Sequence, residues 1–170
     1  LGQITRAIDL LEQAGRLQAA VDLMQEVLNA NPDSLTTCLK LAGLQHRQAN
    51  PASRNATMAK CRHLAGKDPA KLGSLTRAWL EFESYREATK TATEIRSIDP
   101  ASVEAVLVHA RVEASRGADE TARKLLTSFY EQGGKQPAHA LAIAQHYMEI
   151  GRWKAAREFL APALPRARAE

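Results

Sequence analysis

The chain has 170 residues, of which 45% are hydrophobic, 25% charged and 5% aromatic, with nine glycines and seven prolines; this is the composition of a globular protein, neither disordered nor fibrous. A formal charge of +4 is modest, no apolar run reaches the roughly 20 residues that span a bilayer, and two cysteines are too few for a disulfide framework or a thiolate zinc site. The length itself equals five times 34, a period of helical repeats.

Read in blocks 1–34, 35–68, 69–102, 103–136 and 137–170, the sequence predicts two helices per block. In the first, Ile4, Ala7, Ile8 and Leu11 follow i, i+3, i+4, i+7 spacing; after Gly15, Leu17, Ala20, Met24 and Val27 form a second stripe that runs to Asn31-Pro32. The second block has no turn glycine. Asn50-Pro51-Ala52-Ser53 stands in its place, with extra residues before Asp68-Pro69, so a longer inter-helix loop is expected. The third carries Leu72, Leu75 and Trp79, then Tyr85, Ala88, Ala92 and Ile95, and closes at Asp99-Pro100. The fourth has Val106, Leu107, Ala110 and Ala114 before Gly117, and ends at Gln136-Pro137. In the fifth, Ala140, Ile143, Ala144 and Tyr147 precede Gly151, and Trp153, Ala156, Leu160 and Ala163 follow it; Pro162 should stop or kink that helix near residues 159–161.

The punctuation repeats in phase. Pro32, Pro69, Pro100 and Pro137 are 37, 31 and 37 residues apart, and each marks an expected helix end. Gly15, Gly117 and Gly151 occupy one position of their blocks, where left-handed backbone would close a helix. Ala20, Ala88, Ala122 and Ala156 share another, small enough for two antiparallel helices to pack closely. No stretch shows the period-2 alternation of a strand, so the expected fold is all-α.

The blocks resemble tetratricopeptide repeats (TPRs). The match is carried by Ile143, Ala144, Tyr147, Gly151, Trp153, Ala156, Leu160 and Ala163 in the fifth, by Leu75, Trp79, Tyr85, Ala88 and Pro100 in the third, and by Gly15, Ala20 and Pro32 in the first. His109 and Glu113 depart from it, standing where the family has leucine and an aromatic. The resemblance implies one array over 1–170: a solenoid of helical hairpins, about ten antiparallel helices in a right-handed superhelix, cut from a longer repeat protein. It also implies that the first helix of each repeat lines a concave groove. Carried onto this chain, the groove positions begin with Asp9 and Glu12 and continue through Thr36, Leu39, His46, Arg47, Arg77, Leu80, Glu81, Leu107, Arg111, Leu141, Gln145, Met148 and Glu149. Those expected to hold a partner are Leu39, His46, Arg47, Arg77, Leu80, Leu107, Arg111, Leu141, Gln145 and Met148.

The implied function is a non-enzymatic scaffold that binds a peptide or protein. Basic minus acidic counts by block give −3, +5, 0, 0 and +2, so the excess is local to the second. Arginine forks at 47, 77 and 111 would favour a partner with acidic residues; Asp9, with Thr5, argues against the sub-class that grips chaperone C-termini. Two alternatives stand beside this reading: self-association through uncapped ends, and RNA binding, suggested by a pI near 9.3. Against RNA, Trp79, Trp153, Tyr85, Tyr147 and Phe159 are all expected in the core rather than along a groove. No nucleophile or phosphate-loop motif is present, so neither catalysis nor a cofactor is expected, and the five histidines do not converge as metal ligands. Cys38 and Cys61, at apolar positions, are expected as free buried thiols, which leans towards a reducing compartment.

Overall fold

The computed structural model describes residues 2–100 and 102–163, apart from the side chains of residues 2, 3 and 5. Ten helices run through them: α1 (Gly2–Gln13), α2 (Leu17–Ala30), α3 (Leu35–Arg47), α4 (Pro51–Ala65), α5 (Pro69–Glu81), α6 (Tyr85–Ile98), α7 (Val103–Ser115), α8 (Asp119–Gln132), α9 (Pro137–Glu149) and α10 (Trp153–Leu160). Among the described residues there is no strand.

The repeat register is visible in the helix starts. Odd-numbered helices begin at Leu35, Pro69, Val103 and Pro137, and even-numbered ones at Leu17, Pro51, Tyr85, Asp119 and Trp153, 34 residues apart each time. The second block therefore has no longer loop, contrary to expectation. Its turn is closed by Ala49, which takes a positive φ of 55°, and the third block does the same with Glu83 at 54°; both occupy the slot held elsewhere by Gly15, Gly117 and Gly151. All five turns share one hydrogen-bond pattern, in which the residue after that slot donates its N–H five residues back: Arg16 to Leu11, Asn50 to Gln45, Ser84 to Trp79, Ala118 to Glu113 and Arg152 to Tyr147. This backbone motif ends helices with left-handed residues, and it accepts a side chain at a small cost. Ala49→Gly and Glu83→Gly should each therefore raise stability, by about 0.5–1 kcal/mol, while Gly117→Ala should lower it by a similar amount. Urea denaturation of the three variants checks both signs.

Proline has a second role beyond ending helices. Pro51, Pro69 and Pro137 each occupy the first turn of a helix, where the missing N–H has no partner to lose, and Asn50 and Asp68 cap the helices that the first two open. The last helix ends at Leu160, two residues before Pro162, as the clash of the ring with the preceding turn dictates.

The helices fall into two compact units, Leu1–Ser84 and Tyr85–Glu170, divided inside the third repeat. In the first unit Ile8, Met24, Leu28, Leu41, Leu44, Met58, Leu75 and Phe82 form the core. In the second, Leu126, Tyr130, Ile143 and Tyr147 do so, together with alanines between the helices. Ala20, Ala88, Ala122 and Ala156 are all at most 5% exposed, as close helix approach requires. The second repeat has Arg54 at that position instead. Its guanidinium lies 5.4 Å from the centre of the Phe82 ring and 3.2 Å from His46 Nδ1.

One expectation fails in the core. Cys38 on α3 and Cys61 on α4 are fully buried as foreseen, but they are joined in a disulfide, with Cα atoms 5.7 Å apart. The two positions face each other across an antiparallel hairpin, and helical spacing read one helix at a time does not reveal such a pairing. The lean towards a reducing compartment loses its premise.

Candidate functional site: a charged cleft in the first unit

In the first unit α1, α3 and α5 frame a cleft of about 480 Å³. Helix geometry explains which side chains reach it. Thr36, Leu39, Lys40, Gly43 and Arg47 follow one stripe along α3, and Ser74, Arg77, Ala78 and Glu81 follow one along α5. Asp9 and Glu12 come from α1, and Ile8, Met24, Leu35 and Leu44 supply apolar floor. Gly43 leaves space on the α3 wall; the nearest atom to a Cβ built there would be Arg47 Nη1 at 3.9 Å.

Of the residues expected to hold a partner, Leu39, Arg47 and Arg77 line this cleft. His46 and Leu80 do not line the cleft. His46 packs instead against Phe82, with ring centres 4.8 Å apart.

The electrostatics also differ from a simple basic groove. Lys40, Arg47 and Arg77 are matched on the lining by Asp9, Glu12 and Glu81. Arg47 is already engaged, its Nε 2.6 Å from Glu12 Oε1, and Arg77 donates to Ser74 Oγ at 3.1 Å. The cleft is zwitterionic, with acidic side chains on α1 and mostly basic ones on α3 and α5.

The remaining groove residues belong to the second unit. Arg111 on α7 pairs with Glu149 on α9, so a second of the three arginines has an internal partner. Leu107 and Met148 pack against that unit's core, and Leu141 (49% exposed) and Gln145 are on the surface. His109, departing from the family pattern, sits 3.8 Å from Glu113. Two of the five aromatics expected in the core are exposed: Trp153 at 67% and Tyr85 at 37%. Each is the first residue of its helix, where there is no preceding turn to cover it. Neither lines the cleft of the first unit, which contains no aromatic side chain. Among the described residues no three His, Cys, Asp or Glu side chains gather as metal ligands, and no helix is long and apolar enough to cross a membrane.

Helical hairpins repeating every 34 residues, closed by one recurrent turn, define a TPR fold. No family model matches the chain, and no curated protein does. Solved structures do. The chain is similar to a thermophilic TPR protein of Thermus thermophilus, with 19% identity, a TM-score of 0.50 and coverage of 98% of this chain and 91% of the other. It is also similar to the nearly identical TPR-like repeats of a kinesin light chain from Podosopora anserina, with 17% identity, a TM-score of 0.53 and coverage of 100% and 96%. A third similarity is to the pilF protein of Pseudomonas aeruginosa, at 16% identity and a TM-score of 0.52, covering 95% of this chain and 75% of that one. At these identities the likeness is one of fold.

Proposed function

We propose that the chain is a non-enzymatic scaffold and that the cleft between α1, α3 and α5 holds an extended segment of a partner protein. The observation that carries this reading is the cleft's lining: an apolar floor between an acidic wall and a mostly basic one. Such a surface suits a peptide with an apolar side chain flanked by charges of both signs, since each charge would meet its opposite. With Arg47 held by Glu12, an acidic partner residue would find Lys40 and Arg77, and a basic one would find Asp9.

Asp9, Lys40 and Arg77 are exposed, so reversing their charge leaves the fold intact. Wild-type protein and an Asp9→Lys/Arg77→Glu variant should be used as parallel baits, with retained proteins identified by mass spectrometry. Each reversal is expected to weaken binding about 5-fold, more at low salt than at high, because rim charges act through screened attraction. Equal recovery of the same partner by both baits would overturn the cleft assignment.

A further inference from the structure

The second unit has a cleft of its own, distinct in chemistry from the first. It measures about 530 Å³ and opens where the ends of α7 and α9 meet the starts of α8 and α10. Leu126, Tyr147, Ile150 and Trp153 give it apolar walls. Two of these are offered to solvent, Ile150 at 36% and Trp153 at 67% exposed, whereas His146, also on the wall, is only 4% exposed. A large indole left in water beside a concave apolar wall is the pattern of an anchor site for a partner's side chain.

The rim says what else the occupant carries. Two of its basic groups are answered within the fold, Arg152 by Asp119 at 2.9 Å and Arg123 by Glu158 at 3.6 Å. Lys154 is exposed and has no ion pair among the described residues. It lies in the first turn of α10, whose N-cap, Arg152, supplies no side-chain acceptor to the first N–H groups. The start of α8, by contrast, is balanced by Asp119 and Glu120. The rim is therefore short of one negative charge, at Lys154 and the open end of α10.

From this we infer that the cleft of the second unit, beside Trp153, binds a partner segment in which a large apolar side chain is followed by a carboxylate. A second copy presenting this same face would bring Lys154 to a rim of like charge, which disfavours it as the occupant. The inference does not depend on the function proposed for the first unit.

The test uses three fluorescein-labelled octapeptides with a common Gly/Ser frame, bearing Phe-Glu, Phe-Gln or Ala-Glu at the centre. Trp153 emission is followed in a Trp79→Phe background, which leaves one tryptophan, and peptide anisotropy is followed in parallel. The Phe-Glu peptide should bind best and shift Trp153 emission, with affinity falling about 5-fold for Phe-Gln and at least about 10-fold for Ala-Glu. Trp153→Ala should weaken Phe-Glu binding at least about 10-fold, and Lys154→Glu should make Phe-Gln the better ligand. Asp9→Lys/Arg77→Glu should leave all three affinities unchanged, separating this cleft from the first. Equal binding of the three peptides, no binding at millimolar concentration, or a concentration-dependent dimer that Trp153→Ala abolishes would each overturn the assignment.

Discussion

Reducing the Cys38–Cys61 bridge is expected to lower the stability of the first unit by about 3 kcal/mol. The bridge closes a loop with a sequence separation of 23 residues, and in the chain-entropy account a loop of this size restricts the unfolded chain by that amount. The native side of the balance points the same way. Helix α4 is polar over most of its surface and buries Thr57, Met58, Cys61 and Ala65, so the bridge adds a covalent link to the packing of Met58 and Leu64 in the core that α3 shares. Urea unfolding with and without a dithiol reductant measures the difference, and a Cys38→Ala/Cys61→Ala variant should match the reduced protein and ignore the reductant. Alkylation of the denatured, unreduced chain should label neither cysteine; labelling of both would sink the expectation. Because α3 also carries Leu39, Lys40 and Arg47, loosening α4 behind it should weaken whatever the first cleft holds as well.

That a disulfide could be missed while the helix register was not follows from what each depends on. The 34-residue period rests on local signals: capping residues, prolines in first turns and small residues where helices meet, all written into neighbouring positions. The turn slots at Ala49 and Glu83 carry no glycine to mark them in the sequence, and the backbone hydrogen bonds that close the turn do not require one. The pairing of Cys38 with Cys61 depends on how two helices rotate against each other, and no spacing within one helix reports that rotation. The same limit explains the site. Leu39, Arg47 and Arg77 are legible as faces of their helices, whereas Glu12 meeting Arg47 and Glu149 meeting Arg111 are contacts between helices, which leave two of the three arginines already paired. Resemblance to a repeat position places Trp153 in the core, but at the start of α10 the core does not reach it.

Acidification should destabilise the second unit through a single histidine. His146 is buried on α9, and burial, with the Arg111 guanidinium adding to it and the Glu149 carboxylate opposing, lowers its pKa from 6.5 to about 4. The folded chain therefore keeps this imidazole neutral in a range where the unfolded chain protonates it. Its contribution is fully present above pH 6.5 and is lost as pH falls from there to about 4, because only the unfolded state takes up the proton. A shift of this size corresponds to about 3 kcal/mol across that window. Carboxylates titrate lower in the same window, so the wild-type curve alone does not isolate the histidine. Comparison with His146→Gln, which keeps a polar side chain but cannot be protonated, removes the shared background. The wild type should lose about 3 kcal/mol relative to the variant between about pH 7.5 and about pH 4, measured by urea denaturation at fixed ionic strength, and parallel curves would show that the ring takes up its proton in the folded state. Because His146 also lines the cleft beside Trp153 and stays neutral in the folded chain down to about pH 4, that wall carries no imidazolium charge across this window.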